Sequence, residues 1–265
     1  MFPPERIVCL TEETVETLYL LGEEHRVVGV SGYAVRPERV RREKPRVSAF
    51  VSADIEKIVA LEPDLVLTFS DLQADIAATL IRRNLAVHAF NQRDVAGILA
   101  MIRALGALVG ASSKAHALVI ALEQRLATIR EETAQLPRRP RVYFEEWDDP
   151  MISGIRWVAE LIAIAGGEDV FPEHSRQKNA KDRIVTGRDV IAANPDIIVG
   201  SWCGKKFVPA KVKTRENFAT ISAVANGWLR EIKSPLILQP GPAALTDGLD
   251  ALVAIIAEWS RAHAE

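Results

Sequence analysis

Cysteine is nearly missing from this chain of 265 residues. There are two, Cys9 and Cys203, which excludes a disulfide framework. The five histidines, His25, His88, His116, His174 and His263, are scattered, so no metal-binding motif is spelled by them. No apolar run reaches the length of a membrane span. Neither sign of charge is in excess: a formal net charge of −2 argues against a nucleic-acid or bulk-membrane partner. Catalytic signatures are missing too. There is no Gly-rich phosphate loop, no G-x-S-x-G, no H-E-x-x-H and no paired C-x-x-C. The N-terminus, from Met1 and Phe2 onward, lacks a basic segment followed by an apolar stretch. The expectation is a cytoplasmic chain as it stands, or a periplasmic one if a leader has been removed. What is present is 48% apolar and 26% charged residues, the composition of a globular protein with a substantial core.

The most informative feature is a pattern written twice. The first copy runs Ile55-Glu56-Lys57-Ile58-Val59-Ala60-Leu61-Glu62-Pro63-Asp64-Leu65-Val66-Leu67-Thr68-Phe69. The second runs Gly187-Arg188-Asp189-Val190-Ile191-Ala192-Ala193-Asn194-Pro195-Asp196-Ile197-Ile198-Val199-Gly200-Ser201. Each is a short helical pattern stopped at x-Pro-Asp, because proline cannot continue a helix and restricts its predecessor. Each then becomes a branched apolar run that reads as a parallel strand buried on both faces. Two copies imply two similar lobes.

The chain around the copies alternates strand and helix, the signature of parallel α/β lobes. Strands are expected at 6–10, 27–30, 86–89, 141–144 and 229–232. Helices are expected from a Thr11 cap to Gly22, from a Ser52 cap, and over 72–83, 95–108 and 157–165. Residues 36–46 and 145–154 read as loops, the first basic and the second acidic and aromatic. Pro242 suits the first turn of a C-terminal helix running through Trp259. Residues 112–135 keep a helical rhythm through Ala117, Leu118, Ile120, Leu122, Leu126 and Ile129, with no breaker. The resulting division is an N-terminal α/β lobe over 1–110, a linker helix over 111–137 and a C-terminal α/β lobe over 138–265. The expected fold class is α/β: two Rossmann-like lobes with parallel central sheets joined by one long α-helix.

Ligands of parallel α/β lobes bind beyond the carboxyl ends of the strands. The residues there are Glu12 and Glu13, Tyr33, Phe50 and Phe69 in the first lobe, and Trp147 and Trp202 in the second. Flat side chains at the same end of both lobes suit a large, partly apolar ligand held between them. Trp157 and Trp259 fall on helix patterns and belong to the core. Glu12, Glu13, Glu145, Glu146, Asp148 and Asp149 are open to two readings, solvated rim charges or a site for a hard cation. Lys205 and Lys206 offset part of that acidity. Cys203 is either an inert thiol or, with the carboxylates, part of a metal-dependent enzyme or metallochaperone site.

Taken together, Arg6-Ile7-Val8-Cys9-Leu10-Thr11 with Glu16 and Gly22, Val28-Gly29-Val30-Ser31-Gly32-Tyr33, Ile58 to Val66, Ser153-Gly154 and Ala165-Gly166-Gly167 resemble the class III substrate-binding proteins of ABC importers. The resemblance covers nearly the whole chain. It implies a non-enzymatic, monomeric binder with no catalytic residue, no catalytic cofactor and no metal of its own. The implied ligand is cobalamin or a related corrinoid, packed by Tyr33, Phe50, Phe69, Trp147 and Trp202, with backbone amides near Glu12 and Glu13 bonding its polar groups. Haem and ferric siderophores are the alternative ligands, and the acidity of the strand ends counts against anionic siderophores. The resemblance also implies docking on an ABC permease through one exposed glutamate per lobe. Glu56 occupies that position in the first copy, whereas Arg188 occupies it in the second with Asp189 one place off. A cation there disfavours an arginine socket and points to a binder that works without a permease.

Overall fold

The computed structural model describes residues 3–263, so Met1 and Phe2 lie outside it. Two compact units are present: 3–92 with 96–121, and 93–95 with 122–263.

In the first unit, β1 (Ile7–Cys9), α1 (Glu12–Leu20) and β2 (Val27–Ser31) are followed by a short helix α2 (Val40–Glu43) and β3 (Arg46–Ser48). Then come α3 (Ile55–Ala60), β4 (Leu65–Phe69), α4 (Ala74–Arg82), β5 (Val87–Phe90) and α5 (Val95–Leu108). All five strands are parallel in the order β3-β2-β1-β4-β5. The 36–46 stretch expected as loop therefore contains a helical turn and the start of an edge strand. The edge strand was concealed because Val47 is its one buried residue among polar neighbours. On one face of this sheet Val8, Leu10, Val47 and Val66 pack with Ile58 of α3 and Leu80 of α4.

In the second unit, β6 (Arg141–Asp148), β7 (Met151–Ser153), α7 (Arg156–Ile164) and β8 (Glu168–Asp169) are followed by α8 (Pro172–Ser175), α9 (Gly187–Ala193) and β9 (Ile197–Gly200). Three short elements, α10 (Pro209–Lys213), α11 (Ser222–Ala225) and β10 (Leu229–Glu231), lead to α12 (Ser234–Ile237) and α13 (Leu249–Ala262). Helical backbone begins at Pro242 and reaches α13 through a π segment, Ala244–Gly248. Strands β10, β9, β6 and β8 are parallel, while β7 is antiparallel to β6. The 145–154 segment expected as loop is thus the second half of β6, a turn and β7. Gly166 ends α7 at φ +89° as Gly22 ends α1 at φ +71°, both in the left-handed region that glycine enters without cost.

The doubled pattern is a doubled structure. Glu62 and Asn194, the residues before the two prolines, both take positive φ, +46° and +40°. Each chain reversal is then held by the aspartate that follows. Asp64 accepts the backbone N–H of Glu5 at 2.8 Å and of Arg6 at 3.0 Å. Asp196 accepts that of Arg141 at 2.9 Å. The arginine at the start of β1 or β6 caps the helix that ends at the Pro-Asp turn: Arg6 donates to the carbonyls of Leu61 and Glu62, and Arg141 to that of Ala193. Pro-Asp therefore stops the helix and fixes the alignment of β4 on β1 and of β9 on β6. The caps at the helix starts differ from expectation. Asp54, not Ser52, accepts from the Lys57 N–H, and Thr186 with Asp189 forms a capping box on α9.

Helix α6 (Ser112–Thr133) is continuous over 22 residues, about 33 Å at 1.5 Å per residue, and joins the two units. Its buried positions are Ala115, Val119, Leu122, Leu126 and Ile129. Ala117 and Ile120, expected on that face, are exposed. The helical period was right and its phase in the first two turns was not.

Candidate functional site

In the first unit the strand order reverses direction between β1 and β4. From β1 the chain steps outward through β2 to β3, then crosses back to β4 and continues to β5. The crevice beyond the carboxyl ends at such a reversal is where open α/β sheets take ligands. Because all five strands are parallel, their carboxyl ends share one edge. Thr11, Glu12 and Glu13 follow β1, Tyr33 follows β2, Phe50 and Val51 follow β3, and Phe69 and Leu72 stand at and after the end of β4.

This edge is apolar where a sheet end is ordinarily polar. Tyr33 is 50% exposed, Val51 67% and Leu72 57%. Phe50 is half-buried, and Phe69, the last residue of β4, is buried. Between them lie two buried carboxyls. Glu13 accepts the Thr11 hydroxyl at 2.7 Å, so that hydroxyl, expected to cap α1, is spent on a carboxyl instead. Glu12 Oε2 is buried with no hydrogen-bond partner. Burial raises the Glu12 carboxyl to about 7, against the pull of its own backbone N–H. Burial and the neighbouring Glu12 raise Glu13 to about 8. Below neutral pH both are neutral acids able to donate as well as accept.

Gln73 was missed from the sequence. It is buried beneath this edge, where its amide donates to the carbonyls of Phe50 at 2.8 Å and Leu10 at 3.2 Å and accepts the Phe69 N–H at 3.0 Å. Nothing in the local pattern signals it, since Gln73 stands at a helix start where a polar residue is unremarkable.

In the second unit Glu145, Glu146 and Asp148 are not solvated rim charges, whereas Asp149 is exposed. Glu145 lies inside β6, fully buried, and its carboxylate is saturated. It accepts Arg215 Nη1 at 2.5 Å and Nη2 at 2.9 Å, Trp202 Nε1 at 2.9 Å and the Tyr143 hydroxyl at 3.1 Å. Glu146 takes the guanidinium of buried Arg183 through bonds of 2.6 and 3.1 Å. Asp148 is paired with Lys205 and lies 3.9 Å from Lys211 Nζ. The expected acidic character is therefore corrected, because these three carboxylates are neutralised by partners far along the chain. Among the described residues no group of three His, Cys, Asp or Glu side chains is placed to hold a metal ion. Cys9 is buried, and burial pushes its thiol up to about 12. Cys203 is exposed.

The two tryptophans at these strand ends differ. Trp202 is enclosed in the second unit, edge-on to Phe207 with ring centroids 5.0 Å apart. Gly200 makes that packing possible, since a Cβ there would lie 1.9 Å from the Phe207 ring. Trp147 is half-buried, donates to the Asp149 carbonyl at 2.8 Å and carries the Lys205 ammonium 3.8 Å from its ring centroid.

At the positions where docking carboxylates were expected, Glu56 is exposed but clasped by Arg83 at 2.5 and 2.8 Å. Arg188 is exposed beside a depression of about 750 Å³ lined by Met151, Thr186, Ile191 and Phe218. Asp189 is consumed in the α9 capping box.

Comparison with known proteins agrees with this architecture. A cobalamin-binding protein of Halobacterium salinarum is 23% identical over 245 residues, covering 90% of this chain, and the chain spans 66% of that relative's length. The structure of the periplasmic vitamin B12 binding protein BtuF of Vibrio cholerae superposes with a TM-score of 0.78 at 22% identity, covering 98% of this chain and 99% of that one. The periplasmic heme-binding protein RhuT from Roseiflexus sp. RS-1 superposes with a TM-score of 0.80 at 23% identity, covering 95% and 99%. Identities this low establish the fold and leave the ligand open. The model of the periplasmic binding protein family matches residues 7–236, and the chain belongs to that family.

Proposed function

We propose that this protein is a non-enzymatic solute binder that holds a flat, amide-bearing macrocycle, a corrinoid of the cobalamin type, on the strand-end edge of its first unit. The observation that carries the reading is the apolar edge itself. Tyr33, Val51 and Leu72 stand exposed beside Phe50 and Phe69 at the reversal between β1 and β4. Exposed apolar groups gathered at one edge mark a surface meant to be covered. The orphan Glu12 oxygen adds the polar half of the argument. A buried polar atom without a partner is costly, and a side-chain amide of a corrinoid can supply one. In this reading Tyr33, Phe50 and Phe69 pack on the ring, and Glu12 and Glu13 meet its amides. The name of the Halobacterium protein, for cobalamin, and that of the Vibrio protein, for vitamin B12, support the same ligand class.

A second reading, an anionic macrocycle such as haem or an anionic ferric siderophore, is favoured by one observation. Glu145, Glu146 and Asp148 of the second unit are neutralised, while Lys206 and Arg188 are exposed. Calorimetric titration with cyanocobalamin, haemin and a ferric catecholate decides between them. The corrinoid reading expects saturable uptake of cyanocobalamin with a shifted visible band. Uptake of haemin alone overturns it in favour of the second reading, and uptake of none overturns both.

We also propose that the ligand is handled without a permease. Glu56 is clasped by Arg83, and the second docking position is a cation. Fractionation of the native cell tests this: the reading expects the chain in the cytosol, and recovery from the periplasm or the membrane contradicts it.

A further inference from the structure

We propose that Gln73 is a positioning residue for the ligand edge, fixing the separation and height of Phe50 and Phe69. The inference rests on the ligand edge proposed above. Phe69 closes β4, and Phe50 lies in a tight turn beyond β3 in which the Ala49 N–H bonds the Ser52 carbonyl at 2.8 Å. In the sheet β3 and β4 are not neighbours; β2 and β1 lie between them. Three strand spacings of about 4.8 Å separate these strands, and the turn beyond β3 brings the Phe50 carbonyl back within reach of the amide that holds the Phe69 N–H, so the tie between the aromatics is not a ladder hydrogen bond. The Gln73 amide provides it. It donates to the Phe50 carbonyl and to the Leu10 carbonyl at the end of β1, and it accepts from the Phe69 N–H.

The chemistry asks for this residue type. The three backbone groups need two donors and one acceptor from one planar group, which a carboxamide supplies. Asparagine has the same group on a shorter arm.

The backbone between Phe69 and Gln73 supports the assignment independently. Ser70 sits at φ 58°, ψ −179°, a region that non-glycine residues avoid. It is held there by its N–H on the Phe90 carbonyl at 2.8 Å and its hydroxyl accepting the Leu72 N–H at 3.3 Å. The sharp turn this creates brings Gln73 back under the residue four places before it. Strain maintained at a surface edge, with a buried amide joining non-adjacent strands, is a pre-organised platform.

The test compares wild type with Gln73→Leu and, as a stability control away from the edge, Asp64→Ala. In the ligand-free proteins, amide exchange of Phe69 and of residues 49–52 is expected to rise at least tenfold in Gln73→Leu, with β2 unchanged. Cyanocobalamin, or haemin if wild type takes that instead, is expected to bind Gln73→Leu at least tenfold more weakly, chiefly through faster release. The binding is measured well below either variant's melting temperature. Asp64→Ala is expected to melt earlier yet bind within twofold of wild type. Binding of Gln73→Leu within twofold of wild type overturns the inference, as does equal weakening in Asp64→Ala. If wild type binds neither probe, the ligand reading fails, and unchanged exchange at Phe69 then separately overturns the staple. Should Gln73→Leu fail to fold, Gln73→Asn gives the same comparison.

Discussion

Glu12 and Glu13 make the protein's stability fall as pH rises, in a window where most proteins are indifferent. A glutamate in an unfolded chain titrates near pH 4.3, whereas the native values are about 7 and about 8. The native state therefore keeps protons that the unfolded state has lost. The stabilisation these groups contribute is complete below about pH 4.3 and disappears as pH climbs through the native values. For Glu13 the linkage relation gives about 4 kcal/mol lost between pH 5 and pH 9, of which about 1.4 kcal/mol falls between pH 7 and pH 9. Glu12 adds to the loss with the same sign. Partial burial lowers His88, which acts oppositely, and only below about pH 6.5. Of the other groups against Glu13, the Thr11 hydroxyl does not titrate, and burial holds the Cys9 thiol up at about 12, above this window. Urea unfolding at pH 5, 7 and 9 measures the effect. Glu13→Gln removes one proton site with little change in shape. It should match wild type at pH 5 within about 0.5 kcal/mol and exceed it by more than about 2 kcal/mol at pH 9, because no buried charge has to be carried. A wild-type stability that is flat or rising from pH 7 to 9, or a Glu13→Gln variant that tracks wild type throughout, would refute the reasoning.

Buried pairs, turn caps and glycine contacts each give an expected outcome. Arg215→Met leaves the buried Glu145 carboxylate without its bidentate partner; a loss of about 3–5 kcal/mol is expected by denaturant titration, with quenched or shifted Trp202 fluorescence as its local sign. Asp64→Ala removes the acceptor of the Glu5 and Arg6 N–H groups and should cost about 1–3 kcal/mol. Asp196→Ala should cost a similar amount, because the second copy repeats the arrangement. Gly200→Ala drives a methyl into the Phe207 ring and should lower stability by about 1–3 kcal/mol, whereas Gly204→Ala, with nothing near its Cβ position, tests backbone strain alone.

Much of the fold was legible because it is written in local chemistry. The x-Pro-Asp unit forces a helix end and a strand start wherever it occurs, and β4 and β9 follow it in both copies. The span of α5 was read without error, with Asp94 just before its start and Gly110, at φ +75°, just beyond its end. The errors have a different origin. Glu145 read as a rim acid because its partner Arg215 lies 70 residues downstream, a distance no local pattern spans. The β6–β7 hairpin read as loop because four of the five residues from Glu145 to Asp149 are acidic; Glu145, Glu146 and Asp148 are satisfied by tertiary ion pairs. Along α6 the apolar residues occur on more than one side, and packing selected Ala115 and Val119 rather than Ala117 and Ile120. At the candidate site, Tyr33 and Phe69 could be named from strand-end position, and Phe50 from its place just before the first copy of the doubled pattern, because β3 itself was hidden. Gln73 could not, because its role is to join three segments that only the sheet order brings together.

The central claim is that the first unit's strand-end edge takes the ligand. Hydrogen-exchange mapping with and without saturating cyanocobalamin tests it most directly. Within the first unit, protection is expected to be confined to residues 10–13, 31–35, 49–52 and 69–73. Saturable binding with protection elsewhere and none in these four segments would contradict it.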